Sequence, residues 1–364
     1  MSGERVMRSE YMEWAKAHQS ARYSLAISGM KPMTLEELGA GLDDIALGGP
    51  IGYGHRPLIE ALAAKSGVPP EHVVLAAGTS GANHLAFATL IAAGNEVVME
   101  SPVYEPMDRL ARHLGAVIRY FPRRRENGFR VDPADVAASV TPRTRVIVLS
   151  NLHNPAPAAI DAATMRAIGA IAGRSNAHVI VDEVYLDAAF EAAPPSAARL
   201  GPAFVVTTSL TKVFGLGGLR AGWIVAEPAL AERMQRLKNL FGVDGAHPAE
   251  RLAVVALGKS EAILARARSI LDANRAPWLA FLAGRDDLEA ERATIGTTAF
   301  PRVLAGDADR LCEILRERYE TSIVPGRFFG TPEHVRLGLC GDPETFREGL
   351  SRLGAALDDL RRGV

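Results

Sequence analysis

Seven short apolar runs rich in β-branched residues recur through the first two-thirds of the chain, and stretches with helical spacing separate most of them. The runs fall at 73–77, 96–100, 116–121, 145–150, 178–182, 204–209 and 221–226, with alanine- and leucine-rich segments such as 83–93, 105–113 and 162–171 between them. Strand–helix alternation of this kind predicts an α/β fold: a mainly parallel sheet of about seven strands with helices on both faces. The last two runs are joined without room for a full helix, so one antiparallel member is expected near the end.

After residue 228 the pattern changes. Helical spacing covers 228–272 and again 276–290, followed by strand-like 297–303, helical 308–319, strand-like 322–324 and 335–339, and a closing helix at 343–361. This order predicts a second, smaller α+β domain. The expected division is an N-terminal segment, 1–45, packing with the small domain, then a large domain, 46–250, and the small domain, 251–364. A chain of 364 residues with 48% hydrophobic and 23% charged composition has ample core for that arrangement.

Several functions are argued against. A formal net charge of -1 is not that of a nucleic-acid binder. The only dense basic run, Arg123-Arg124-Arg125, precedes Glu126-Asn127-Gly128 and reads as a solvated turn. The longest apolar stretches, such as 85–93, are about half of a membrane span, and residues 1–17 lack a signal-peptide core. Two distant cysteines, Cys312 and Cys340, fit a cytoplasmic enzyme with reduced thiols. With nine scattered histidines they offer no compact metal-ligand spacing, and His153 reads as a loop residue.

In open α/β sheets ligands gather at the carboxyl ends of the strands. The first strand is followed by Gly78-Thr79-Ser80-Gly81, opening a helix whose amides suit a phosphate. The second is followed by Ser101-Pro102-Val103-Tyr104, which brings an aromatic ring to the same edge, and the fourth by Asn151-Leu152-His153-Asn154-Pro155. The fifth ends in Asp182-Glu183-Val184-Tyr185, an aspartate that needs a partner. The sixth ends at Ser209, with Lys212 and then Arg220 beyond it. The chain has six lysines against thirty-five arginines, so a lysine at an apolar strand end is a pointed choice. Pyridoxal 5′-phosphate needs this set: a lysine for its aldehyde, an acid for its pyridinium nitrogen, a cationic cup for its phosphate and an aromatic face.

The segment Ser209-Leu-Thr-Lys212-Val-Phe-Gly215-Leu-Gly-Gly-Leu-Arg220-Ala-Gly222 resembles the cofactor-lysine signature of the class I/II aminotransferases, the fold-type-I pyridoxal-phosphate enzymes. Asn154-Pro155 and Asp182–Tyr185 precede it in the expected order, and the likeness covers essentially the whole chain. The resemblance implies an aminotransferase that moves an amino group between an α-amino acid and a 2-oxo acid through a Schiff base on Lys212. By it, Asp182 holds the ring nitrogen protonated, while Tyr185 and Asn154 donate to the phenolic oxygen. Arg220, Ser209 and the Gly78-Thr79-Ser80 turn hold the phosphate, and Tyr104 stacks on the ring. Arg336, in Glu333-His334-Val335-Arg336-Leu337-Gly338, grips the substrate α-carboxylate, and 325–330 forms a loop lining the pocket. A homodimer is implied, with Tyr53 the candidate for a tyrosine reaching the phosphate across the interface.

Other signatures fail. The run 215–220 lacks the third glycine of a dinucleotide fingerprint, and Ala253 stands where a phosphate loop ending in Gly258-Lys259-Ser260 needs glycine. The resemblance also takes in β-lyases, cyclases and oxidases of specialised metabolism with the same catalytic set, and the chain departs from the common family pattern at several points. Asn154-Pro155 continues Ala-Pro-Ala-Ala rather than through a small residue to glycine; the offset of Tyr53 is unusual; and the stretch 24–29 differs from central-metabolism members. No arginine is identifiable as a reader of a side-chain carboxylate.

Overall fold

The computed structural model describes residues 5–18, 20–50 and 52–363; Ile51, which opens the Tyr53 loop, and the first four residues of the 1–17 stretch lie outside them. Seven strands form one sheet: β1 (Val73–Ala77), β2 (Glu96–Ser101), β3 (Val117–Pro122), β4 (Thr144–Ser150), β5 (His178–Asp182), β6 (Phe204–Ser209) and β7 (Ala221–Val225), in the order β1-β7-β6-β5-β4-β2-β3. β7 runs antiparallel to both neighbours, and the remaining pairs are parallel.

Strand residues alternate between faces, so two cores form. Val97, Met99, Val146, Val148 and Ile180 pack with Phe87, Met107 and Met234 from the helices Gly78–Leu90, Glu105–His113 and Pro228–Lys238. Val98, Ile147, Leu149 and Val181 face the other way, toward Met165 and Ile168 of Ala162–Arg174 and Leu252 of His247–Gly258. Burial on both faces explains why the strands read as continuous apolar runs. The expected α/β sheet with helices on both faces is what the chain forms.

The region after 228 departs from the expected pattern in two places. Its helical stretch is broken into Pro228–Lys238, His247–Gly258 and Ser260–Ala283, because Gly242 and Gly245 interrupt the spacing between the first two. The expected helix over 276–290 is the tail of the third, which ends at Gly284, and Leu288–Glu289 is already a strand. A small antiparallel sheet follows, Thr298–Ala299, Val335–Gly338 and Val324–Pro325 in that order, with the helices Ala308–Tyr319 and Pro343–Arg362. Tyr23–Ser24 pairs in parallel with Thr321–Ser322.

Arg123 departs from the expected solvated turn, which the exposed Arg124 and the turn Arg125–Asn127 do form. Arg123 is 2% exposed and pairs with Glu100 at 2.7 Å, also donating to the carbonyls of Phe129 and Ser150. Glu100 in turn accepts from the Ser150 amide (2.8 Å) and hydroxyl (2.6 Å), so the pair ties the ends of β2 and β4 beneath the strand edge. Burial pushes the Glu100 carboxyl up, and the Arg123 guanidinium opposes that push. Arg123→Met strands a buried carboxylate and is expected to destabilise the protein by about 3–5 kcal/mol. Adding Glu100→Gln restores part of the loss, which denaturant unfolding of both variants measures.

Candidate active site

A cleft of about 370 Å³ opens at the carboxyl edge of the sheet, lined among others by Thr79, Ser80, Tyr104, Asn154, Asp182, Tyr185, Lys212 and Arg220. Strand register brings them there: Ser150 lies beside Asp182, Asp182 beside Thr207, and Ser209 beside Gly222. Gly78 and Ser209 stand just behind the lining residues.

One wall suits an anion. The helix Gly78–Leu90 begins with no side-chain cap; the Gly78 amide donates to the Arg220 carbonyl (2.6 Å), and the amides after it are left uncapped at the cleft end. Gly78 has φ of +69°, and a Cβ there would come within 2.3 Å of the Arg220 guanidinium, so this turn requires glycine. Arg220 donates to the carbonyls of Ala77 (3.2 Å) and Gly217 (3.4 Å), and among the described residues it has no ion-pair partner. Thr79 donates to the Ser209 hydroxyl at 2.7 Å, which also bonds Thr211 at 2.7 Å.

The acid stands at the end of β5. Asp182, 6% exposed, accepts from the Asn83 side-chain amide and the Val184 backbone amide, both at 3.0 Å. Burial raises its carboxyl to about 6, against the pull of those two donors and of Lys212. Tyr185 shares a 2.7 Å hydrogen bond with Ser28, and Lys212 is half-buried, its carbonyl accepting from the Met30 amide.

Arg336 is fully buried. Its Nη1 donates to Asn154 Oδ1 (3.0 Å), and its Nη2 to the Tyr11 hydroxyl (3.0 Å) and the Ala26 carbonyl (3.2 Å). Its Nε has no hydrogen-bond partner, and no carboxylate among the described residues pairs with the guanidinium. A buried charge of this kind is suited to an anionic ligand.

Other expected residues lie elsewhere. Tyr53 is 51% exposed and does not line the cleft of its own chain. Phe328 and Phe329 do not line it either; they are packed against Tyr11, with Arg336 over the Phe329 ring. His153 lies on a loop, as expected, and is buried there, its Nε2 3.0 Å from the Pro102 carbonyl. Asn83, Thr207, Ser28 and Tyr11 escaped the sequence reading. Thr207, a hydroxyl inside an apolar strand, was the one with a visible signal.

Glu183, next to Asp182 in the chain, makes stability pH-dependent. Only 5% exposed, it accepts from Ser196 (2.6 Å) and the Ala197 amide (2.7 Å); burial, aided by the charges of Asp187 and Asp182, raises its carboxyl to about 7. Its folded value exceeds the ordinary 4.5, so the stability it contributes is complete below that pH and is lost as pH rises through about 7. Glu183→Gln is expected to flatten thermal stability between pH 5 and 8, with its gain over the parent growing toward pH 8; melts across that range check this.

Among the described residues no group of His, Cys, Asp and Glu is arranged to hold a metal, and no helix is long and apolar enough to cross a membrane.

Comparison with known proteins accounts for the set. The family Aminotransferase class I and II matches residues 43–353. Capreomycidine synthase of Streptomyces vinaceus is 33% identical, with 94% of this chain and 92% of that protein covered. Arginine–pyruvate transaminase of Pseudomonas aeruginosa is 29% identical over 80% of this chain and 76% of its own. A PLP-dependent aminotransferase from Streptococcus suis superposes with a TM-score of 0.91 at 26% identity, covering 98% of this chain and 99% of that one. An uncapped helix start, an unpaired arginine, a buried aspartate and a lysine on one cleft fit pyridoxal 5′-phosphate, and the chain belongs to the class I and II aminotransferases, which use that cofactor.

Proposed function

We propose that the protein transfers an amino group between an α-amino acid and a 2-oxo acid, with Lys212 as the covalent anchor of the cofactor. The observation that carries this reading is the convergence of Lys212, Asp182 and Arg220 on one cleft beside the buried Arg336. When bound, pyridoxal phosphate supplies an electron sink for charge developing at the substrate Cα.

The chain's own residues do the rest. Arg220, Ser209, Thr79, Ser80 and the Gly78 turn hold the phosphate, where a guanidinium can bind two oxygens at once. Tyr104, which lines the cleft, would cover the ring face. Asp182, kept ionised by two donors, accepts from the ring nitrogen. Tyr185 donates to the phenolic oxygen, and Asn154, whose Oδ1 is occupied by Arg336, has its Nδ2 left to do the same. Arg336 binds the substrate α-carboxylate and fixes Cα in place. Lys212 would anchor the cofactor and, when free, its Nζ would accept the proton leaving the substrate Cα.

The working unit is a homodimer in the cytoplasm. Leu240, Phe241 and Val243 are exposed beside a hollow of about 500 Å³ lined by Leu58, Leu75 and Leu85, a patch that a second copy would cover. Tyr53 of the partner subunit then reaches the phosphate.

The test is a half-reaction: cofactor-saturated protein, single amino acids and no 2-oxo acid. A transaminase yields one equivalent of 2-oxo acid per site and pyridoxamine phosphate, and arginine is the first donor to try, given the arginine–pyruvate relative. The likeness to capreomycidine synthase favours a second reading, a different reaction of an amino acid on the same cofactor. Product beyond one equivalent, with the cofactor's original spectrum restored, would replace the first reading with the second.

A further inference from the structure

Asp182 is held by more than its own strand. Its Oδ2 accepts from Asn83 Nδ2, a residue of the helix Gly78–Leu90 that is 5% exposed. Asn83 is itself fixed: its Oδ1 accepts from the Thr207 hydroxyl at 2.5 Å, and Thr207 is fully buried on β6, in register with Asp182 on β5. A side-chain amide can turn over and present either its oxygen or its NH₂ group. With the Thr207 hydroxyl donating to Asn83 Oδ1, the NH₂ group is the end that faces the carboxylate. A turned amide would set oxygen against oxygen at Asp182 and leave the Thr207 hydrogen without this acceptor.

We infer that Asn83 and Thr207 are positioning residues that keep Asp182 as an ionised acceptor toward the cofactor's ring nitrogen. The inference rests on the cofactor reading above. The relay is compact because the helix that begins at the phosphate wall carries Asn83 on its second turn. One element thus serves both the anion wall and the acid.

The other groups acting on Asp182 set the direction of the effect. Lys212 favours its ionised form, while burial opposes it. Glu183 is its neighbour in sequence and in charge, and the Tyr104 hydroxyl feels the Asp182 charge. Losing the Asn83 donor leaves burial less opposed, so Asp182 takes up a proton at higher pH. A protonated Asp182 no longer holds a proton on the ring nitrogen.

Thr207→Val removes the hydroxyl with little change in shape, Thr207→Ser retains it, and Asn83→Leu removes the relay's centre. Each holoprotein is titrated by absorbance between pH 5 and 9, and cofactor affinity is measured on the apoprotein by equilibrium dialysis against pyridoxal phosphate. The expected result is a shift of about one pH unit or more in the spectral midpoint, with roughly tenfold weaker cofactor binding, in Thr207→Val and Asn83→Leu. Thr207→Ser restores both. An unchanged midpoint in Thr207→Val, or loss of melting temperature without a spectral shift, overturns the inference while leaving the cofactor reading intact. A parent protein that binds no pyridoxal phosphate overturns both.

Discussion

Lys212→Ala is expected to lower turnover by about ten-thousand-fold, the upper range for loss of a positioned acid–base group, with cofactor binding weakened but not lost. The phosphate wall does not depend on the lysine: Arg220, the uncapped helix start and the Thr79–Ser209 pair stand without it. An added primary amine such as methylamine can take the lysine's place as a proton acceptor, so partial rescue that rises with amine concentration is expected. Steady-state rates with the best amino donor, with and without amine, check both statements. A variant retaining a tenth of the parent rate would remove Lys212 from the chemistry.

Arg336→Lys has the second largest effect. The guanidinium is fully buried, and its hydrogen-bond partners among the described residues are neutral: Asn154, the Tyr11 hydroxyl and the Ala26 carbonyl. A lysine keeps the charge but loses the planar fork, and with it the paired charge-assisted bonds to a carboxylate. KM for the amino acid is expected to rise about hundredfold, with a smaller fall in kcat. The matching amine without a carboxylate should lose its disadvantage in the variant. A KM unchanged between parent and Arg336→Lys would show that the carboxylate is bound elsewhere.

Much of this was legible in the chain because the relevant positions carry strong local signals. The sheet could be read since its inner strands are buried on both faces, although the edge strand β3 is largely exposed, and the cleft residues could be found because most of them follow a strand end. Tertiary contacts hid the remainder. Arg123 looks like surface charge until Glu100, 23 residues earlier, is seen to occupy the same interior. Asn83 carries no sequence sign of its partners, which come from β5 and β6 about 100 and 124 positions away. Tyr11 sits on a polar helix and meets Arg336 across 325 residues. Helical spacing over 276–290 failed for a local reason: Gly284 ends the helix, and spacing alone does not register that.

The most direct test of the account is to locate the cofactor. The holoprotein is reduced with borohydride, digested, and its peptides are mapped by mass spectrometry. With only six lysines in the chain, the assignment is unambiguous. The account predicts one pyridoxyl group per chain, on the peptide containing Lys212, with Lys16, Lys31, Lys65, Lys238 and Lys259 unmodified. Label on one of those five instead, or none on any lysine of a protein saturated with pyridoxal phosphate, would contradict it.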